Sequence, residues 1–284
     1  MLARYAAIRT GLLAPTRRFA AERPFAAGLL LAGGLLTAPD RPLAAQTVAD
    51  HVAMGVAAVE ARDLRTGLAH YEAALALDSS DYAANWRAAF ALLDQGEQIP
   101  DSIASPERDS IFARAEVLAR RAVAADSFGA EGHFAVAASV GRASLTGGKK
   151  ERIRRARIVR DEALRTLALD PGHDGAYHVL GRWNAEIMRL SGLSRFFARS
   201  FLGAGVFGQA SWERAVANLQ KAVELDPERI QHRLELARVY ADRKRFEEAR
   251  DQLGRIASLP DREPLDPLYR ERAAALGKRI ADKS

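Results

Sequence analysis

Residues 203–208 read Gly-Ala-Gly-Val-Phe-Gly, that is Gly203-x-Gly205-x-x-Gly208. Glycines so spaced cradle a dinucleotide pyrophosphate, but only between a strand and a helix and with an acid about 20 residues on. Glu224 stands near that distance, yet an arginine-rich amphipathic stretch precedes the glycines and a helix stop, Asp226-Pro227, follows Glu224. The glycines therefore read as the end of a short helix near Gly203 and a loop to Ser211, a residue type that caps the next helix. The Thr146-Gly-Gly-Lys-Lys150 stretch fails as a phosphate loop, because Ala143 stands where the first glycine should and Lys150 where Ser or Thr should. The six histidines (51, 70, 133, 173, 178, 232) show no His-x-x-x-His spacing, no Gly-x-Ser-x-Gly elbow occurs, and there is no cysteine. The aspartates cluster where helices end and accept backbone N–H groups there, a poor setting for acid–base work. The sequence thus predicts no enzyme, no metal and no cofactor.

The elements around these residues are helical. The chain has 284 residues, 48% hydrophobic and only 7% aromatic, and it is rich in alanine, the best helix former. Five segments end alike: 71–81, 119–129, 163–173, 219–229 and 253–263. Each is an amphipathic helix end stopped by Asp, Ser or Pro, with another alanine-rich helical stretch upstream. This pattern resembles the tetratricopeptide repeat (TPR), which needs small residues where two helices touch. In the first repeat these are Gly55, Gly67 and Ala74, with Tyr71 as the plug. In the fourth they are Gly181, Ala215 and Ala222, and in the fifth Ala237 and Ala249. The expected fold is all-α, a right-handed TPR-like solenoid of about five helix pairs. The repeats fall near 48–81, 82–128, 129–173, 174–229 and 230–262, with a cap at 264–282. That cap is a final helix from about Asp266 to about Ala281, with Asp266 as its N-cap and Pro267 at its first position.

The stop aspartates Asp78, Asp126, Asp170 and Asp226 are spaced 48, 44 and 56 residues apart. A TPR unit is about 34 residues, so three repeats carry insertions. They are expected at 96–110, 144–154 and 191–209, between the two helices of a repeat and on one edge of the stack. The last, with Leu190, Leu193, Phe197 and Phe201 on one side, either folds over a groove or completes the core.

A closer resemblance lies in 178–203 and 211–230. Leu180-Gly181-Arg182-Trp183, then Leu190-Ser191, Gly203, Ala215, Lys221-Ala222 and Pro227 make the chain similar to the regulator of microtubule dynamics family. The resemblance implies a TPR-like domain and, from its eukaryotic members, association with microtubules.

By repeat register, the first helix of each pair lines a groove at Trp86, Phe90, Phe134, Arg142, His178, Arg182, Leu234 and Arg238. Aromatics with interleaved arginines suit an extended peptide carrying carboxylates, which arginine binds bidentately. The leading expectation is a non-catalytic scaffold for a protein or peptide, with the arginines favouring an acidic one. The alternatives are a membrane-associated adaptor and a microtubule-associated regulator. The basic run 149–160 places Arg152, Arg154, Arg155, Arg157 and Arg160 on one helix, suited either to water or to anionic headgroups.

The net charge is +6, but residues 1–45 hold six arginines against Glu22 and Asp40. The remainder is nearly neutral, so no nucleic-acid partner is expected. Within 1–45, the apolar run Phe25–Ala38 is too short to span a bilayer of about 30 Å comfortably. It reads as a signal-peptide core with cleavage after Ala45, giving a periplasmic or secreted protein, or else as an N-terminal anchor.

Overall fold

The structure, a computed structural model, describes residues 46–100, 103–143, 149–190 and 208–284. The predicted segment at 1–45 and nearly all of the third insertion therefore lie outside the described residues. Among the described residues there are eleven helices and no strand. They are α1 (Val48–Glu60), α2 (Leu64–Leu77), α3 (Tyr82–Glu97), α4 (Pro106–Ala125), α5 (Ala130–Ala143), α6 (Lys149–Leu169), α7 (Asp174–Arg189), α8 (Trp212–Leu225), α9 (Ile230–Asp242), α10 (Phe246–Ser258) and α11 (Asp266–Ile280). The first ten pair in sequence, each second helix also packs on the next first helix, and successive first helices touch one another. That is the connectivity of an all-α TPR-like solenoid.

The stop signals work by one device used four times. Asp78, Asp126, Asp170 and Asp226 each accept, through Oδ1, the backbone N–H two residues on, at 2.8 to 3.2 Å. The short side chain mimics a turn of backbone, which ends one helix and lets the next start four residues later. Each carboxylate thereby serves its turn, and that of Asp226 also pairs with Arg262.

The small residues behave as the pattern requires. A Cβ on Gly55 would stand 2.4 Å from the Tyr71 ring, and one on Gly181 would stand 2.5 Å from Leu219 Cγ. Ala74, Ala215, Ala222, Ala237 and Ala249 are all fully buried. Repeats one and five turn tightly through Arg62 (φ 64°) and Lys244 (φ 58°), both in the left-handed region. Repeats two and three do not simply carry loops. Helix α3 continues to Glu97, α4 starts at Pro106 and runs 20 residues, and α6 starts at Lys149 and runs 21. Much of the first two insertions is therefore added helix, which satisfies its own backbone groups.

Second helices bury one stripe, as in α2 with Gly67, Tyr71 and Ala74. The first helices α3, α5, α7 and α9 bury residues all round, including Asn85, His133, Asp174, His178, Asn184, His232, Arg233 and Glu235. The inner faces of these first helices are therefore largely packed, with Arg182 and Arg238 left about one-third exposed. Helix α11 has the predicted span, but Asp266 does not cap it. Its Oδ2 instead accepts from the backbone N–H groups of Arg262 and Glu263, each at 2.7 Å. The helix packs on α9 and α10, and Arg272 on it reaches Glu97 at the end of α3.

Candidate binding surface

The inner layer is built on polar groups held out of water. At its centre Asp174, the first residue of α7, accepts from His232 Nε2 at 2.9 Å and from Arg229 Nη1 at 3.0 Å. Arg229 also reaches Glu263 at 3.2 Å, which fastens the approach to α11. His232 Nδ1 lies 3.0 Å from His178 Nδ1. With His232 Nε2 donating to Asp174, a neutral His232 must accept at Nδ1, so His178 donates from Nδ1 and keeps its lone pair on Nε2. Burial opposes the Asp174 charge, but His232 and Arg229 override it and hold the carboxyl far below the usual range. Burial, then His232 and Arg182, push His178 well below the ordinary imidazole value.

A second cluster surrounds Glu235, which is 4% exposed. Arg182, Arg189 and Arg238 approach it at 3.9, 3.6 and 3.3 Å. The third cluster lies at the far end of α3. There Glu97 pairs with Arg142 of α5 and with Arg272 of α11. Asp94, one turn earlier, is pushed up to about 7 by burial and by Glu263. Tyr269 of α11 is buried, and its hydroxyl accepts from Gln231 Nε2 of α9 at 2.9 Å.

The eight residues predicted to line a groove all lie on first helices, yet they do not form an open lining. Trp86, Phe134, His178 and Leu234 are buried. Trp86, Phe90, Phe134 and His173 form a row of rings with centroids 6.2, 5.0 and 4.4 Å apart, which joins α3 to α5 and the start of α7. The Arg142 side chain is 11% exposed and pairs with Glu97. Arg182 and Arg238 remain about one-third exposed, and both turn to Glu235. The arginines expected to await a carboxylate already hold one.

The acids Asp94, Glu97, Asp174 and Glu235, and the basic partners Arg229 and Arg272, were missed by register. Only part of the signal was present: Glu235 stands between apolar neighbours in Leu234-Glu235-Leu236 and Asp94 follows Leu92-Leu93, whereas Glu97, Asp174, Arg229 and Arg272 each have at most one apolar neighbour. On α6, Arg154 binds Glu151 at 2.7 Å, Arg155 binds Glu116 at 2.7 Å, Arg157 lies 3.6 Å from Asp161 and Arg160 lies 3.1 Å from it. The Arg152 side chain lies outside the described ones. Among the described residues no group of three or more potential ligands could hold a metal, and no helix is long and apolar enough to cross a membrane. The His178–His232–Asp174 relay is buried at both imidazoles, so no substrate meets it in this conformation.

One turn of α7 shows how tightly sequence specifies this layer. Leu180 joins Ala137 and Ala163 in a shared cluster. Gly181 admits Leu219, Arg182 faces Glu235, and the Trp183 indole donates to the Ala156 carbonyl at 2.7 Å. Four consecutive residues thus meet α5 and α6, α8, α9, and α6 again.

The helix pairs and the layer they enclose define a tetratricopeptide-type repeat protein. More particularly, the chain belongs to the regulator of microtubule dynamics protein 1-3 family, whose model matches residues 56–281. No curated protein matches it by sequence. Among solved structures it is similar to a thermophilic TPR protein of Thermus thermophilus, with a TM-score of 0.58 at 17% identity over 81% of this chain and 98% of that one. It is also similar to pilF of Pseudomonas aeruginosa (TM-score 0.47, 15% identity, 82% and 90% covered). A third is YrrB, described as a TPR protein with an unusual peptide-binding site (0.40, 14%, 81% and 91%).

Proposed function

We propose that this chain is a non-catalytic scaffold that binds a protein or peptide through the inner layer of first helices. The observation that carries the reading is that this layer, together with the second helix α10, already seats a helical segment, α11, by a mixed polar and apolar contact: Arg272 on Glu97 and Tyr269 against Gln231. A surface that accepts one helix in this way has the chemistry to accept another. The test is site-specific photo-crosslinking in the native compartment, with the probe at Arg182 or Arg238 and, as control, at Leu164 on the outer face of α6. Discrete adducts from the inner positions alone support the reading, and equal adducts from both sides would sink it.

The same proposal places the protein outside the cytoplasm, on the strength of the apolar run 25–38 and its arginine-bearing approach. Fractionation checks this: a processed, soluble form supports export, and an unprocessed membrane-bound form supports the adaptor. The adaptor has less support from α6, because its arginines are paired with Glu116, Glu151 and Asp161. Replacing Arg154, Arg155 and Arg157 with Gln should leave binding to anionic vesicles unchanged. The family to which the chain belongs supports a second reading, a microtubule-associated regulator, and co-sedimentation with polymerised tubulin tests it.

A further inference from the structure

We propose that the inner layer is a receptor for an amphipathic helix presenting a tyrosine and, three residues on, an arginine, and that α11 is such a ligand held by its own chain. The inference deepens the scaffold reading and rests on it.

Helix α11 divides cleanly into two faces. Tyr269, Ala273, Leu276 and Ile280 are buried, with Arg272 partly so, while Glu271, Ala274, Ala275, Lys278 and Arg279 are exposed. The inward stripe recurs every three to four residues, the spacing of a helix seated in a groove. Its polar pair is specific. Arg272 Nη1 donates to Glu97 Oε1 at 2.5 Å, and Nη2 donates to the Glu97 carbonyl at 3.3 Å. Tyr269 lies one turn earlier on the same face, with the Arg272 guanidinium 5.8 Å from its ring centroid. Its hydroxyl is met by Gln231 of α9. The seat therefore offers one oxygen of the Glu97 carboxylate, the other being paired with Arg142, and an amide N–H at another place, with apolar surface between. That pattern calls for a cation and an aromatic hydroxyl on the incoming helix. The carboxylate-bearing peptide expected from register fits less well, because Arg182 and Arg238 are turned to Glu235.

The helix is fastened to α10 by Arg270, which donates to the Ile256 and Leu259 carbonyls, and by Arg250, which donates to the Ile280 carbonyl. Its approach is held by side-chain pairs: Asp261 with Arg62 at 3.8 Å, Glu263 with Arg229 at 3.2 Å and Arg262 with Asp226 at 3.1 Å. A competing helix has to displace these contacts for α11 to leave the seat.

The test uses the full chain and a fluorescein-labelled synthetic peptide of residues 262–284. The wild-type protein should bind the peptide weakly, since its own α11 holds the seat. The Arg272→Glu protein, with its cis helix loosened, should bind at least ten-fold more tightly. The same peptide carrying Tyr269→Ala or Arg272→Glu should bind neither protein. Hydrogen exchange of residues 262–284 confirms release, and circular dichroism confirms that the helix pairs persist. Glu97→Gln is the second variant: it should loosen α11 yet fail to gain peptide affinity, because the receptor carboxylate is gone. Release of α11 without peptide binding to the Arg272→Glu protein would overturn the proposal. So would unchanged protection of α11 in both variants, or a dimer by light scattering in which α11 crosses between two copies. The readout needs no cellular partner, so a failure to find one in the native compartment would leave it intact.

Discussion

Arg272 and Glu97 stand 175 residues apart in the chain, and the guanidinium of one donates to both the carboxylate and the backbone carbonyl of the other. The Glu97 side chain is 10% exposed and that of Arg272 24%, so the pair is worth more than a surface ion pair. Arg272→Ala should cost about 2 kcal/mol, the scale of lost hydrogen bonds to a charged group. Chemical denaturation measures the loss, and hydrogen exchange should place the first loss of protection at α11.

Asp94 gives the inner layer an unusual response to alkali. Its pKa stands at about 7 because burial and Glu263, with Asp266 nearby, disfavour its charge, while Arg229 and Arg142 only partly offset them. The folded value lies above the unfolded one of about 4, so the folded state holds more protons across that window and stability falls as pH rises through it. Asp94→Asn removes this term. The variant should gain more in Tm over the parent at pH 8 than at pH 5, and equal gains would contradict the assignment.

The histidine pair acts in the opposite direction. His178 and His232 are both lowered, first by burial. A lowered folded value means the unfolded chain takes up more protons below about pH 6.5, so stability from these groups is present above that pH and lost as it falls. Protonating His178 would put a charge on Nε2, which has no hydrogen-bond partner. His178→Gln should flatten the decline in stability between pH 6.5 and 5, followed by thermal melts.

Gly181→Ala should destabilise although alanine is the better helix former. The added methyl would meet Leu219 Cγ at 2.5 Å and the Ala215 carbonyl at 3.2 Å. Overpacking of this kind costs roughly 1–3 kcal/mol, more than the gain of about 1 kcal/mol from helix propensity. An unchanged denaturation midpoint would show that α7 and α8 can separate freely.

The helix pairs were legible because two local signals coincide at each of the four junctions between repeats. Asp78, Asp126, Asp170 and Asp226 stop one helix, and glycine or alanine marks the contact that follows. The lengthening of α4 and α6 was less so, since a Pro-Asp-Ser stretch reads as loop until Ser105 is seen accepting from Arg108 N and starting a helix. The site was the least legible part. Arg182 and Arg238 stand on first helices as register requires, but whether they face a ligand or Glu235 depends on rotamers. The return of α11 to α3 depends on the curl of the whole stack, to which every pair adds a small rotation that no single repeat encodes. The Leu180–Trp183 turn was recognisable as a motif, but its four separate destinations were not.

The reach of Arg272 to Glu97, with Asp261 beside Arg62, also bears on how the protein comes apart. A linear repeat array can fray from either end, because each unit touches only its neighbours. Here the segment after α10 bonds to the first two repeats, so the two ends of the described stack are tied together. The link raises contact order, which slows folding, and couples the two ends of the stack for as long as α11 stays seated.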